Sequence, residues 1–153
     1  MPASAPALDI DTATRLRSAI GRLHRRLRPT AAGAAAGLTP TRLSLLYAVV
    51  RQGPIRLSEL AAAEGINPTM LSRIIGDLTE SGLLERVSDP DDRRAALVKV
   101  TPDGGRLAER MRRERTDVLT RALDSLPDSE RRQLEQALPA LEQLAEALRE
   151  HRP

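Results

Sequence analysis

The 153-residue sequence contains no cysteine, no tryptophan and no phenylalanine, and it carries one tyrosine, Tyr47, one lysine, Lys99, and two histidines, His24 and His151. Without cysteine there can be no disulfide, thiolate metal site, thiol redox switch or cysteine nucleophile. Two histidines make a poor metal donor set and no nucleophile–base motif is present, so no metal, cofactor or catalytic residue is expected and the chain does not read as an enzyme. The scarcity of aromatic rings removes the stacking platforms that grip single-stranded nucleic acid. No apolar run approaches the ~20 residues of a bilayer span. The opening MPASAPALDID lacks the charged start and apolar stretch of a signal peptide, so a cytoplasmic protein is expected.

What is present is globular: 41% hydrophobic and 29% charged residues in a length that suits one domain. The net charge is only +3, yet all but one of the 24 basic residues are arginine, the fork-shaped donor that suits phosphates and base edges.

Helical periodicity opens the chain. Leu16, Ile20, Leu23 and Leu27 form a single stripe over residues 11–28, ended by Pro29. AAGAAAG, up to Gly37, fits either a short helical turn or a loop. Thr39-Pro40 then supplies a capping residue and a proline at the first helical position, opening a helix with Leu43, Leu46, Val49 and Val50 on its apolar face.

Ser58 is expected to cap a short helix closed by Gly65, and Asn67-Pro68 to open a second one closed by Gly82. Two individually capped helices this close together are a helix-turn-helix signal. Beyond Gly82 the period changes to that of strands: LLERVS, a DPDD turn and RRAALVKVT predict a β-hairpin. Thr101-Pro102 starts a long helix bearing Leu107, Met111, Val118, Ala122 and Leu126, broken at Pro127. Asp128 opens the last helix, in which Leu134, Leu138, Leu141, Ala145 and Leu148 make a heptad-like seam, with a kink expected at Pro139.

The segment from Leu38 to Gly105 resembles the MarR family of bacterial winged-helix transcriptional regulators, a resemblance that rests on LSELAAAEGINPTMLSRIIGDLTESGLLER followed by DPDDRRAALVKVTPDG. The resemblance implies a mainly α fold with a small β-hairpin wing, a winged helix-turn-helix with terminal dimerisation helices. The expected divisions of this one intertwined domain are 1–38, an N-terminal dimerisation helix and linker; 39–101, the DNA-binding lobe; and 102–153, C-terminal dimerisation helices. A homodimer binding a pseudo-palindromic double-stranded operator, most often as a repressor, is the implied function. A small-molecule effector would sit between dimerisation helices and lobe, its pocket residues left open.

The recognition-helix candidate is independently legible. Leu71, Ile74, Ile75 and Leu78, at offsets 0, 3, 4 and 7, face the core, which leaves Asn67, Thr69, Met70, Ser72 and Arg73 on the outer side of the N-terminal half. Arg73 can reach a guanine edge or a phosphate, Thr69 and Ser72 either, and Met70 a thymine methyl. On the wing, the resemblance implies that Arg94, beside Arg93, enters the minor groove and that Arg86 contacts a phosphate, while Asp92 orients an arginine. It also implies a basic residue where this chain has Asp77. His24 reads as a solvated or pocket-edge residue. Arg110, Arg112, Arg113 and Arg115, interleaved with Glu109 and Glu114, read as an ion-paired or solvated face. Residues 39–101 hold eight basic and eight acidic residues, so binding must come from placement of charge. That balance also motivates the alternative function, a winged-helix protein-interaction module.

Overall fold

A computed structural model describes residues 10–92 and 95–150, the side chains of Arg149 and Glu150 excepted. The chain separates into two units, Met1–Arg115 and Thr116–Pro153.

In the first unit, α1 (Ile10–Leu27) buries none of its residues, so the Leu16–Leu27 stripe is left largely uncovered by its own chain. The Ala-rich stretch forms the short helix α2 (Ala31–Ala35), whose third residue, Gly33, donates its N–H to the Thr30 hydroxyl at 3.1 Å. Helix α3 (Pro40–Gln52) is capped by Thr39 as its cap-plus-proline pair predicts. Its buried face is broader than a single stripe: Leu43, Leu45, Leu46, Ala48 and Val49 are buried, whereas Val50, expected inside, is 41% exposed. The reason is tertiary, since α3 is packed upon by several later elements.

The strand β1 (Ile55–Arg56) follows, then α4 (Leu57–Glu64), closed by Gly65 at φ 65°. Ser58 is not the cap. The helix begins two residues earlier than that cap implies, with Arg56 in the capping position and its backbone N–H donating to the Glu59 carboxylate at 3.4 Å. Helix α5 (Pro68–Glu80) ends at Ser81, and Gly82 turns the chain at φ 71° into β2 (Leu84–Ser88) and β3 (Ala96–Val100). The expected hairpin is present but belongs to a three-stranded antiparallel sheet of order β1-β3-β2, with Ile55 opposite Val98 and Leu84 opposite Val100. Two residues are too few to show the alternation that marks a strand in sequence.

Helix α6 (Pro102–Asp124) opens as predicted: Gly104 N–H donates to the Thr101 hydroxyl, which in turn donates to the Gly82 carbonyl at 2.6 Å. Its first turns bury Leu107, Ala108 and Met111. The core they join gathers Leu45, Leu46, Leu60, Leu71, Ile75, Leu78, Leu84 and Val98, each worth about 1.5–3 kcal/mol of transfer free energy on burial. In the second unit, α6 ends at Asp124, three residues ahead of Pro127, and α7 (Asp128–Glu150) runs unbroken through Pro139. That proline has no N–H, so the Glu135 carbonyl lacks its helical donor. Leu134, Leu138, Leu141 and Leu148 of α7 are exposed.

Candidate nucleic-acid interface

The start of α5 is fixed by its own sequence. Asn67 Oδ1 accepts from the N–H groups of Thr69 at 2.9 Å and Met70 at 3.4 Å, satisfying two donors a helix start leaves open, and Pro68 needs none. Leu71, Ile74, Ile75 and Leu78 anchor the helix in the core. Asn67, Thr69, Met70, Ser72 and Arg73 are all exposed, together on the side away from that anchor. They offer hydroxyl, amide and guanidinium groups and one apolar tip, a set able to read a major-groove edge and hold phosphates.

Further along the same helix, Asp77 accepts from Nη2 of Arg42, in the first turn of α3, so the acidic residue at this position joins α5 to α3.

The wing is built on cross-strand pairs, with Glu85 opposite Lys99 and their charged groups 3.2 Å apart. Arg86, opposite Val98, is exposed. At the loop end of the hairpin Asp89 is buried, and its Oδ1 accepts from the Asp91 N–H at 2.9 Å while Oδ2 accepts from Arg56 Nε at 2.7 Å. The Asp91 N–H and then the Arg56 guanidinium hold its carboxyl below the usual range against the opposing effect of burial. Asp92 is exposed, and its carbonyl accepts from the Ala95 N–H at 2.9 Å. Arg93 and Arg94 lie outside the described residues.

Asp89 and Arg56 were missed as wing-positioning residues. An aspartate accepting from the N–H two residues on is a recognisable local turn, so half of Asp89's role was available from SDPDD. Its partner was not.

Within the first unit, α1, α3, α4 and α6 enclose a cleft of about 540 Å³ lined by His24, Leu27, Tyr47, Arg51 and Arg115 among others. The Arg115 guanidinium lies 4.8 Å from the Tyr47 ring centroid, and its Nη2 donates to the Arg28 carbonyl at 3.3 Å. Its Nε is buried without a hydrogen-bond partner. The Tyr47 hydroxyl donates to the Ala108 carbonyl at 3.3 Å, and burial raises its pKa. His24 is thus a pocket-edge residue, one of its two expected placements. Arg115 departs from the solvated face expected of its cluster because the Tyr47 ring draws it inward. Arg112 and Arg113 do pair with Glu109, at 2.8 and 2.9 Å. Glu114 accepts instead from the Ala32 N–H at 3.1 Å, at the start of α2. Among the described residues no group of three or more His, Asp or Glu gathers to hold a metal, and no helix is long and apolar enough to cross a membrane.

A family model described as the MarR family matches residues 38–96. An uncharacterized HTH-type transcriptional regulator of Mycobacterium bovis is 32% identical over 123 residues, spanning 80% of this chain and 85% of the relative. Among solved structures, a Pseudomonas aeruginosa protein described as a transcriptional regulator is 34% identical and superposes with a TM-score of 0.76 over 92% of this chain and 98% of its own. CouR from Rhodococcus jostii, solved bound to p-coumaroyl-CoA, is 25% identical with a TM-score of 0.58 over 90% of this chain and 95% of its own. The relatives matched are regulators of transcription rather than enzymes.

Proposed function

Because the chain belongs to the MarR family and is a DNA-binding transcriptional regulator of winged helix-turn-helix fold, we propose that it acts as a homodimer that represses transcription by occupying a pseudo-palindromic duplex operator. The observation that carries this reading is α5 itself, anchored by four buried aliphatic residues and presenting Asn67, Thr69, Met70, Ser72 and Arg73 to solvent. In a two-fold dimer the two α5 helices would enter major grooves about one turn, ~34 Å, apart. Arg73 reads a base edge or holds a phosphate, Thr69 and Ser72 bond phosphate or base, and Met70 meets a thymine methyl. Arg86 contacts a phosphate, Arg94 beside Arg93 enters the adjacent minor groove, and Asp92 orients an arginine of the wing.

Dimerisation falls to the apolar faces that α1 and α7 leave uncovered. Contiguous apolar surface of this kind is unusual on a monomer. The cleft around Tyr47 is the effector site in this reading; His24, Arg115 and Arg51, the last 3.7 Å from Glu64 on the same lining, suit it to a small molecule carrying an anionic group, and the ligand-bound CouR structure supports a small-molecule site in this fold. An effector releases DNA by binding the DNA-incompetent arrangement more tightly, since only differential affinity shifts a population.

The test is recovery of bound duplexes from a randomised pool, followed by fluorescence anisotropy over a salt series. A palindromic consensus with steeply salt-dependent affinity is expected. Failure to recover any duplex, together with capture of a protein partner lost in Arg73→Ala, would establish the interaction-module reading instead.

A further inference from the structure

We propose that Arg42, carried on α3 and held beside α5 by Asp77, is a phosphate-contacting residue of the DNA-binding face. The proposal rests on the DNA-binding reading of α5 and adds to it a residue from outside the helix-turn-helix.

Thr69, Arg73 and Asp77 are spaced four residues apart on α5 and therefore stack along one side of it. The first two are exposed, so the stripe runs outward along the face given to DNA. A bare carboxylate at its end would repel the phosphates alongside. Asp77 is not bare, because Arg42 reaches it from the first turn of α3, leaving both side chains 35% exposed. The pair engages Nη2 of Arg42. A guanidinium carries five N–H donors, so the half-exposed group can hold the carboxylate on one edge and a phosphate oxygen on another. Lysine could not span both in this fixed way. In a lobe whose eight basic and eight acidic residues cancel, such a pairing turns an acidic position into a cationic contact. The backbone supports the placement: Thr39 accepts from the Arg42 N–H, which fixes the turn from which the side chain departs.

A purely structural role, stapling α3 to α5, would account for the same ion pair, so the deciding quantity is the dependence of affinity on salt. Duplex recovered from a randomised pool by the unaltered protein serves as the probe, with Arg42→Gln, Asp77→Asn and the double variant compared by anisotropy over a salt series and by thermal unfolding. Arg42→Gln is expected to weaken binding about tenfold or more and to make the slope of log affinity against log salt shallower by ~1.8, one phosphate per half-site in a dimer. The double variant, relieved of the uncompensated carboxylate, regains part of the affinity yet keeps the shallow slope. Asp77→Asn alone retains the parent slope, because the cation remains. A folded double variant with the parent's slope would overturn the proposal and leave only the staple. If the unaltered protein recovers no duplex at all, the DNA-binding reading fails first, an outcome separate from any change of slope.

Discussion

Arg56 and Asp89, 33 residues apart, meet where the wing's strands run into its loop, and Nε and Nη2 of the guanidinium lie 2.7 and 2.5 Å from the same carboxylate oxygen. Arg56 ends β1 and occupies the cap position of α4, so this one pair ties the hairpin to the first helix of the helix-turn-helix. Asp89→Asn should loosen the wing and weaken operator binding several-fold while leaving the helices intact. Because the Asp89 carboxyl is held below its ordinary value in the folded protein, its contribution to stability is complete above the ordinary carboxylate range and is lost as pH falls through the lowered value. Acid unfolding of Asp89→Asn, followed by circular dichroism, should therefore start from a lower stability near neutrality and converge on the parent at low pH. Parallel curves would remove Asp89 from this role.

Glu109 is perturbed more strongly but should matter less to stability. Hydrogen bonds from Arg112 and then Arg113 lower its carboxyl to about 2. Both arginine side chains are well exposed and Glu109 is partly so, and surface pairs of this kind add little once solvent screening is counted. A carboxyl-detected NMR titration should place Glu109 near 2. In Arg112→Gln/Arg113→Gln the value should return toward the ordinary range of about 4.3 with almost no change in melting temperature. A large drop in melting temperature would mean that the pairing carries tertiary structure.

Gly104 is a packing requirement. A Cβ there would lie 2.0 Å from the Leu83 carbonyl oxygen and 3.0 Å from Val100 Cγ2. Neither the backbone atom nor the strand behind it can retreat without breaking the Thr101 N–H bond to that same carbonyl at 3.1 Å. Gly104→Ala should cost about 3 kcal/mol or more in urea unfolding, whereas Gly105→Ala, with nothing within 4 Å of its Cβ, should be neutral or slightly stabilising.

These residues also show what the sequence exposes and what it withholds. Thr39-Pro40, Asn67-Pro68 and Thr101-Pro102 announce three helix starts because capping is a local transaction, settled within three residues. The outward face of α5 is legible for a similar reason: a single amphipathic stripe defines its opposite. Ile55–Arg56 is too short to declare itself a strand, and it exists because β3 offers an unpaired edge. The ion pairs Arg42–Asp77 and Arg56–Asp89 join residues 35 and 33 positions apart. No local rule links such partners, so Asp77 looked out of place until its partner was in view. The breadth of the α3 buried face has the same origin.

The apolar seam on α7 should hold the dimer. Leu138 is 52% exposed and Leu134 43% exposed within one chain, values that cost free energy unless a second copy covers them. Leu134→Glu/Leu138→Glu is expected to shift sedimentation from dimer to monomer or to an unfolded chain, and a monomeric parent at micromolar concentration would refute dimerisation through these helices. Loss of the dimer should also abolish tight operator binding, because each half-site alone contributes only part of the affinity.

Arg73 and Arg86 separate the reading of sequence from the holding of backbone. Arg73 is exposed on the outer stripe of α5, in the half of the helix that the proposed binding mode puts into the major groove, where a guanidinium would meet the two acceptors of a guanine. Arg73→Ala should therefore cost about 1–3 kcal/mol per half-site on the selected operator and relax discrimination at one base pair. Its effect on unrelated duplexes should be much smaller. Arg86 is exposed on β2, and the proposed binding mode gives it a phosphate rather than a base edge. Arg86→Ala should weaken selected and unrelated duplexes together, make the salt slope shallower by ~1.8 for the dimer and leave base preference unchanged. Arg94→Ala should follow the Arg86 pattern with one difference, a greater loss on operators whose flanks are A·T-rich, where the narrow minor groove concentrates negative potential. The decisive comparison is the ratio of affinities for selected and unrelated duplex, which should fall in Arg73→Ala and stay level in Arg86→Ala. A fall of that ratio in Arg86→Ala with none in Arg73→Ala would move base recognition from α5 to the wing.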